Sequence, residues 1–204
     1  MKVLVIGTGA IGSFYGSLLA RTGADVSVMA RSDYLTIKQH GIEIHSDTEL
    51  GHYVFQPVEV LHEGEHLREP ADYVLLCIKM VDGADPVSLL KNVVGPHTAI
   101  VLIANGIGIE QAIAKAFPHN TLISGLAFIC VSRMAPGKIW HQSYGRLTLG
   151  DFPGGTSDQT CHLAEAFRQA GISCQATADI AAARWQKCVW NAAFNPLSVL
   201  SGGL

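Results

Sequence analysis

The sequence predicts an α/β fold in which helices cover both faces of a mostly parallel sheet. The first observation behind this prediction is an apolar run at 2–6, KVLVI, followed by closely spaced glycines and a helix-compatible stretch. The second is a pair of uninterrupted apolar runs, YVLLCI at 73–78 and TAIVLI at 98–103, which are typical of strands buried on both faces. The third is the alternation of such strands with helical segments, which indicates a doubly wound, Rossmann-type sheet.

The composition of the 204-residue chain is that of a globular protein, with 49% hydrophobic and 15% charged residues. The net charge of −3 gives no electrostatic reason to expect binding to nucleic acid or to an anionic membrane surface. The apolar run at 2–6 is too short for a signal peptide, and no stretch approaches the length of a membrane span.

The cysteines and histidines indicate neither disulfides nor a metal site. The five cysteines are scattered and include no C-x-x-C pair, which is typical of reduced thiols in a cytoplasmic protein. Of the nine histidines, His62 and His66 are four residues apart, but the stretch HEGEH is polar and has no helical apolar pattern. We therefore expect no bound metal ion.

The expected elements follow from hydrophobic periodicity and from turn residues. In the first half they are strands at 2–6, 25–29, 73–78 and 98–103, a hairpin of 42–45 and 53–56 with 47–51 at its tip, and helices at 10–21, 82–92 and 109–117. In the second half they are a long apolar run at 121–131, two strands at 138–141 and 146–149 joined by a turn at 143–145, a helix at 156–170 capped by Thr156 or Ser157, a strand at 172–176 and a helix from Asp179 onward. A boundary near 177–179 would separate a dinucleotide-binding domain, 1–177, from the first helix of a helical second domain, 178–204.

The three glycines after the first strand have the spacing G-x-G-x-x-G of a dinucleotide-binding turn. Gly7 allows the tight turn, Gly9 lets phosphates approach the backbone, and Gly12 lets the helix lie close to the strand. The free N–H groups and the positive end of the helix then face the pyrophosphate. An ordinary glycine-rich turn is the alternative. The predicted cofactor contacts in this segment are Gly7, Thr8, Gly9, Ala10, Ile11 and Gly12.

Arg31 favours NADP(H) over NAD(H). An NAD-binding unit carries an acidic residue at the end of the second strand, where it holds the ribose 2′-hydroxyl. Here the strand runs into Ala30 and Arg31, and a guanidinium at this position suits a 2′-phosphate. Asp33 follows closely and is also a candidate helix cap, while Arg31 alone would by default be a solvated loop residue.

A polar stripe lies in the last helix. Lys187, Asn191 and Asn195 have the spacing i, i+4, i+8, which places them on one helix face, and Arg184 precedes them on the same side. The remaining surface is largely apolar, so the stripe is expected to line a polar cleft. A solvent-facing stripe on an amphipathic helix is the alternative.

Two further polar residues directly follow predicted parallel strands. Lys79 comes after YVLLCI and Asn105 after TAIVLI, and the carboxyl ends of such strands bind ligands in open α/β sheets. A surface lysine and an ordinary Asn-Gly turn are the alternatives.

Taken together, five segments resemble the ketopantoate reductase (2-dehydropantoate 2-reductase) family over almost the whole chain. The pattern K-x-x-x-N-x-x-x-N-P is more specific to this family than the glycine motif. The segments are GTGAIG at 7–12, CIK at 77–79, NGIG at 105–108, PGKIWH at 136–141 and RWQKCVWNAAFNPLS at 184–198.

The resemblance implies NADPH-dependent reduction of the small 2-oxo acid 2-dehydropantoate to pantoate, in pantothenate and coenzyme A biosynthesis. It implies that 7–12 bind the pyrophosphate, that Arg31 binds the 2′-phosphate, and that Lys187 is the catalytic acid. Lys79 and Asn105 would lie near the nicotinamide half. Asn105, Lys187, Asn191 and Asn195 would contact the substrate.

The family also has a substantial helical domain after the last helix, whereas this sequence reaches Leu204 with that domain barely begun. Whether the chain is a fragment or a shortened homologue stays open at this point. Exposed apolar residues between Trp190 and Leu200 would then need a partner, and a second copy in a homo-oligomer is one expectation. The alternatives for function are a catalytically impaired NADP-binding module and a reductase of another small 2-oxo acid.

Overall fold

The computed structural model describes residues 1–81 and 83–202, which contain ten strands and six helices. In chain order these elements are β1 Lys2–Ile6, α1 Ala10–Arg21, β2 Asp25–Ala30, α2 Tyr34–His40, β3 Ile42–Ser46, β4 His52–Phe55, β5 Val60–His62, β6 Tyr73–Leu76, α3 Pro86–Lys91, β7 Ala99–Ile103, α4 Gln111–Ala116, β8 Leu122–Ala135, β9 Lys138–Asp151, α5 Asp158–Gln169, β10 Cys174–Ala176 and α6 Ile180–Leu200.

One sheet contains all ten of these strands, in the order β4-β3-β9-β8-β7-β6-β1-β2-β5, with β10 beside β9. The six adjacent strands from β5 to β8 run parallel. Their spatial order matches the 3-2-1-4-5-6 order of a dinucleotide-binding sheet. The long strand β9 runs antiparallel to β8, and the β3–β4 hairpin extends the sheet beyond it. The predicted α/β, mostly parallel, Rossmann-type fold is confirmed.

The side chains of β1 show how the sheet separates two cores. Val3 and Val5 belong to a buried cluster with α1 and α5, whereas Leu4 and Ile6 belong to a second cluster with α3 and α4. Strand side chains alternate between the faces, so an uninterrupted apolar run is needed where helices cover both. This burial fixes the carboxyl ends of β1, β6 and β7 at one edge of the sheet.

The prediction of two strands at 138–141 and 146–149 is wrong, because the region forms the single strand β9. The supposed turn is a bulge: Phe128 pairs with Arg146 and Ile129 with Tyr144, which leaves Gly145 as an extra residue. Tyr144 (φ 66°) and Gly145 (φ 117°) both have positive φ. A bulge absorbs an extra residue without ending the strand, so turn-forming residues did not mark a turn here.

Some helix and strand boundaries differ from expectation. The predicted helix 82–92 is α3, which begins at Pro86 after Asp85 accepts a hydrogen bond from the Ser88 N–H; residue 82 lies outside the described residues. The start of α5 is capped by Ser157 rather than Thr156. The short strand β5 and the helix α2 were not predicted, because three to seven residues give too little periodicity.

The helix α6 packs on the sheet near its N-terminus, where Ile180 and Arg184 are buried. Farther along, many of its large apolar side chains are exposed. These are Trp185, Val189, Trp190, Phe194, Leu197, Val199 and Leu200. Within 1–81 and 83–202, no helix is long and apolar enough to cross a bilayer.

Candidate active site

The turn after β1 requires glycine at position 7. Gly7 has a φ of 96°, in the left-handed region that side chains rarely adopt, and its N–H donates to the Met29 carbonyl oxygen at 3.2 Å. A Cβ at this position would lie 3.0 Å from the Cys77 carbonyl oxygen. The turn is therefore held against both β2 and the segment that follows β6.

Gly12 and Gly9 serve different purposes. A Cβ on Gly12 would lie 2.1 Å from the Gly7 carbonyl oxygen, so α1 reaches its position only with glycine there. A Cβ on Gly9 would meet no atom of the described residues within 4 Å. Gly9 is the N-cap of α1 and has no side chain to bind the N–H groups of the first turn. This open helix N-terminus fits an anion such as a pyrophosphate.

The other predicted contacts in this turn differ in exposure. Thr8 is buried, whereas Ala10 is partly exposed. Ile11 is also partly exposed and lines the large cavity described below.

Arg31 is exposed directly after β2, where a ribose-binding group is expected. Asp33 stands at the N-cap of α2, but its side chain makes no cap hydrogen bond. Its carboxylate is instead paired with Arg133 of β8. Thus Arg31, and not Asp33, is available to a ligand at this end of the sheet.

An open cavity of about 1020 Å³ lies at the carboxyl ends of β6 and β7. Its lining includes Lys79 and Asn105 from the loops and Lys187 and Asn191 from α6. The structure thus brings together four residues from three segments that are far apart in sequence. The fifth polar residue, Asn195, is exposed and is not among the residues that line the cavity.

Lys187 is the half-buried cation of this cavity. Its Nζ donates to the Ala127 carbonyl oxygen of β8 at 2.5 Å. Burial, and to a smaller extent the nearby charge of Arg184, lower the pKa of Lys187 to about 8. An ammonium group with such a pKa is mostly protonated at neutral pH and still releases its proton readily.

Arg184 does not line this cavity, although the helical spacing predicted it on the same side as Lys187. It is buried, and its Nη1 donates to the carbonyl oxygens of Ala104 at 2.9 Å and Gly106 at 3.0 Å. Its Nε donates to Ser124 Oγ at 2.8 Å and is ion-paired with Glu110. Burial lowers the pKa of Arg184 despite the opposing charge of Glu110. The two carbonyl groups flank Asn105, so this arginine ties α6 to the loop that carries it.

Sequence reasoning did not single out several residues of the cavity. Arg146 of β9 lines it and lies over the Phe128 ring, 5.1 Å from the ring centroid. Together with Lys79 and Lys187 it makes the cavity cationic, which suits an anionic ligand. The sequence pattern at 146–149 predicted a strand, but it did not indicate that the side chain of Arg146 lines a cavity. Glu110 and Ser124, which bind Arg184 and do not line the cavity, had no recognisable motif.

The described residues contain no group of three or more His, Cys, Asp or Glu side chains that could hold a metal ion. The charged groups that line the cavity are Lys79, Arg146 and Lys187, which suit anions and carbonyl oxygens rather than cations.

The strand order, the glycine turn and the cavity at the strand ends define a dinucleotide-binding protein of the Rossmann class. Comparison with known families gives the particular group. Residues 3–154 match the family described as "Ketopantoate reductase PanE/ApbA", and the chain belongs to that family.

Relatives with this function in their names match almost the whole chain. A 2-dehydropantoate 2-reductase from Nostoc sp. is 32% identical over 98% of this chain and 63% of its own length. The corresponding protein of Mesorhizobium japonicum is 29% identical over 99% of the chain and 68% of its own length. The chain thus spans about two thirds of the length of these curated relatives.

Solved structures agree in fold. The crystal structure of 2-dehydropantoate 2-reductase from Methylococcus capsulatus has a TM-score of 0.94 and 62% identity, covering 100% of this chain and 66% of that one. A ternary structure of D-mandelate dehydrogenase with NADH and anilino(oxo)acetate has a TM-score of 0.85 at 21% identity, over 97% of this chain and 64% of that one. The latter shows likeness of fold alone.

Proposed function

We propose that the chain carries out the NADPH-dependent reduction of 2-dehydropantoate to pantoate, a step in pantothenate and coenzyme A biosynthesis. The observation that carries this proposal is the cavity in which Lys187 and Asn191 of α6 face Lys79 and Asn105 of the sheet edge. Family membership and the names of the relatives support the choice of substrate.

The proposed cofactor is NADP(H), held at the glycine turn. The open N-terminus of α1 fits the pyrophosphate, since the position of a Gly9 side chain is vacant and no side chain caps this helix. Exposed Arg31 would bind the 2′-phosphate by charge and by its fork of donors. Lys79 and Asn105 would contact the nicotinamide half. When bound, the reduced cofactor supplies the hydride.

Lys187 is the proposed acid. Reduction of a ketone builds negative charge on its oxygen, and a positioned ammonium both stabilises this charge and delivers a proton to that oxygen. The hydrogen bond from Nζ to the Ala127 carbonyl holds the side chain in the cavity. Burial lowers the pKa of Lys187 to about 8, which is closer to neutral pH and therefore favours proton transfer.

Asn105 and Asn191 would orient the substrate hydroxyl and carboxylate without adding a competing charge. The cations Lys79 and Arg146 line the same cavity and would favour the carboxylate. The substrate contact predicted for Asn195 stays a prediction, because that residue is outside the cavity lining.

The remaining assignments are also proposals. We propose that residues 1–177 form the cofactor domain and that 178–204 begin a helical one, in a cytoplasmic enzyme. The exposed apolar face of α6 would be covered by a protein surface, with a homo-oligomer as the expected form. Size-exclusion chromatography with light scattering over a concentration series measures the oligomeric state.

An NADPH-oxidation assay of this 204-residue chain tests the proposal, with 2-dehydropantoate compared with other small 2-oxo acids. We expect the highest kcat/KM for 2-dehydropantoate. Cofactor binding is measured separately by fluorescence. Binding of neither NADPH nor NADH would overturn the proposed site, and a clear preference for another 2-oxo acid would overturn the proposed substrate.

A cofactor-binding module without turnover is the second candidate. It is favoured by the exposure of α6 beyond Asn191, which leaves the cavity open on that side. This candidate predicts tight NADPH binding with no oxidation by any 2-oxo acid.

A further inference from the structure

We propose that Arg133 helps to set the preference for NADP(H), by holding the Asp33 carboxylate away from the adenosine ribose. This inference rests on the proposed cofactor site and deepens it. It assigns part of the preference to a residue of β8, outside the β1–α1–β2 unit that contains the glycine motif and Arg31.

The Asp33 carboxylate is fully engaged in tertiary contacts. Arg133 Nε donates to Asp33 Oδ2 at 2.9 Å and Arg133 Nη2 donates to Oδ1, which makes a two-point ion pair. Ser32 Oγ donates to Oδ1 at 2.8 Å, and the Gly137 N–H donates to Oδ2 at 3.3 Å. The Asp33 side chain is 2% exposed as a result.

This carboxylate carries its charge in spite of its burial. Burial by itself raises the pKa of Asp33, but the hydrogen bonds from Arg133, Ser32 and the Gly137 backbone outweigh that effect and keep the pKa below its usual value. The negative charge is therefore balanced by Arg133 and is turned towards β8 rather than towards a ligand.

The position of Asp33 makes this balance relevant to the cofactor. Arg31 and Asp33 both lie about 20 residues after Gly12, where a dinucleotide-binding sheet places the group that contacts the ribose. A free carboxylate there accepts a hydrogen bond from a 2′-hydroxyl and repels a 2′-phosphate, whereas a guanidinium attracts the phosphate. With Asp33 paired to Arg133, exposed Arg31 acts without a neighbouring negative charge.

The test is Arg133→Met, studied by fluorescence titration of the whole chain with NADPH and with NADH. Loss of the partner releases the Asp33 carboxylate beside Arg31, so the preference for NADPH over NADH should fall about tenfold or more. The double variant Arg133→Met/Asp33→Asn should recover the wild-type preference to within about threefold, because a neutral amide does not repel phosphate.

Two further variants complete the test. Arg68→Met removes an arginine whose side chain is 91% exposed and should leave the preference unchanged. Arg133→Lys retains the charge but cannot hold both carboxylate oxygens, so the preference for NADPH over NADH should fall a few fold. This variant serves as the test if Arg133→Met does not fold.

The outcomes separate the inference from the proposed function. A wild-type chain that binds neither cofactor would overturn both. A wild-type preference for NADPH that stays unchanged in Arg133→Met, or in Arg133→Lys if Arg133→Met does not fold, would overturn the inference alone. If the double variant binds NADPH as weakly as Arg133→Met does, Arg133 itself contacts the phosphate and the role given to Asp33 is wrong.

Discussion

Arg184 and Lys187, three residues apart on α6, both bind the same strand of the sheet. Arg184 Nε donates to Ser124 Oγ of β8 at 2.8 Å, and Lys187 Nζ donates to the Ala127 carbonyl oxygen farther along β8. Arg184 Nη1 also donates to the carbonyl oxygens of Ala104 and Gly106, the residues on either side of Asn105. One turn of α6 therefore fixes the lysine of the cavity relative to the loop opposite it.

Arg184→Met should be strongly destabilising, because it leaves the Glu110 carboxylate buried without its cation. A loss of roughly 3–5 kcal/mol in the free energy of unfolding is expected, measured by urea denaturation. Arg68→Met, at an exposed pair with Glu59, is the control and should cost about 0.2–1 kcal/mol. Equal losses in the free energy of unfolding would show that the buried pair contributes no more to stability than the exposed pair does.

Lys187→Ala should reduce kcat by about 10²–10⁴-fold and leave NADPH affinity nearly unchanged, since the lysine is the proposed proton donor. Lys115→Ala, on the exposed side of α4, is the control and should behave as wild type. A fall in cofactor affinity without a fall in kcat would contradict the role of acid.

The pKa of Lys187 gives the proposed reaction a pH dependence. Because the protonated form is needed, activity should fall as pH rises through about 8. NMR of the chain labelled with ¹³C at the lysine side chains measures this pKa without any turnover. A value near the ordinary 10.5 would contradict the effect of burial.

Substitution by alanine should have different effects at two glycines of the same turn. Gly9→Ala has room for the methyl group, so wild-type stability is expected, with NADPH affinity lowered about tenfold or more as the methyl occupies the phosphate side. Gly12→Ala places its Cβ against the Gly7 carbonyl oxygen and should cost about 1–3 kcal/mol or more of stability. Thermal melting and fluorescence titration distinguish these outcomes, and equal melting temperatures would contradict the second.

His141 should make the fold sensitive to acid. This residue of β9, the strand between β8 and β3, is fully buried, its ring centroid lies 4.2 Å from that of Phe14, and the ring is hydrogen-bonded to Ser46 Oγ at 2.8 Å. Burial lowers the pKa of His141 below the ordinary 6.5, although backbone carbonyl groups and Asp47 oppose this. The unfolded chain then binds more protons than the folded one, so stability falls as pH drops below about 6.5.

Comparison of melting temperatures at about pH 7.5 and pH 5.5 measures this effect. His141→Gln should lose part of the difference between the two pH values, because it removes the titrating group. Exposed His119→Gln should retain the full difference. An undiminished difference in His141→Gln would show that other groups cause the acid sensitivity.

Patterns of burial predicted most of the sheet. The side chains from Val3 to Ile6 alternate between two cores, so every position is buried and apolar, and the sequence shows this as an uninterrupted apolar run. By contrast, the sequence placed Arg184 beside the polar stripe of α6. Arg184 is buried because it binds Glu110 and Ser124, and no local sequence pattern connects these two residues to it. The pairing of Asp33 with Arg133 likewise depends on where β8 runs, which spacing in the sequence does not reveal.

The contacts of Cys77 determine how the glycine turn could be transplanted into another protein. The Cys77 backbone limits the space at Gly7, and its Cβ lies 3.1 Å from where a Gly12 Cβ would be. Residues 2–21 moved alone into another sheet would therefore lose the surface that shapes the turn. The smallest unit for such grafting is β1, α1 and β2 together with β6 and its extension to Lys79, and a bulky residue in place of Cys77 would disrupt the turn.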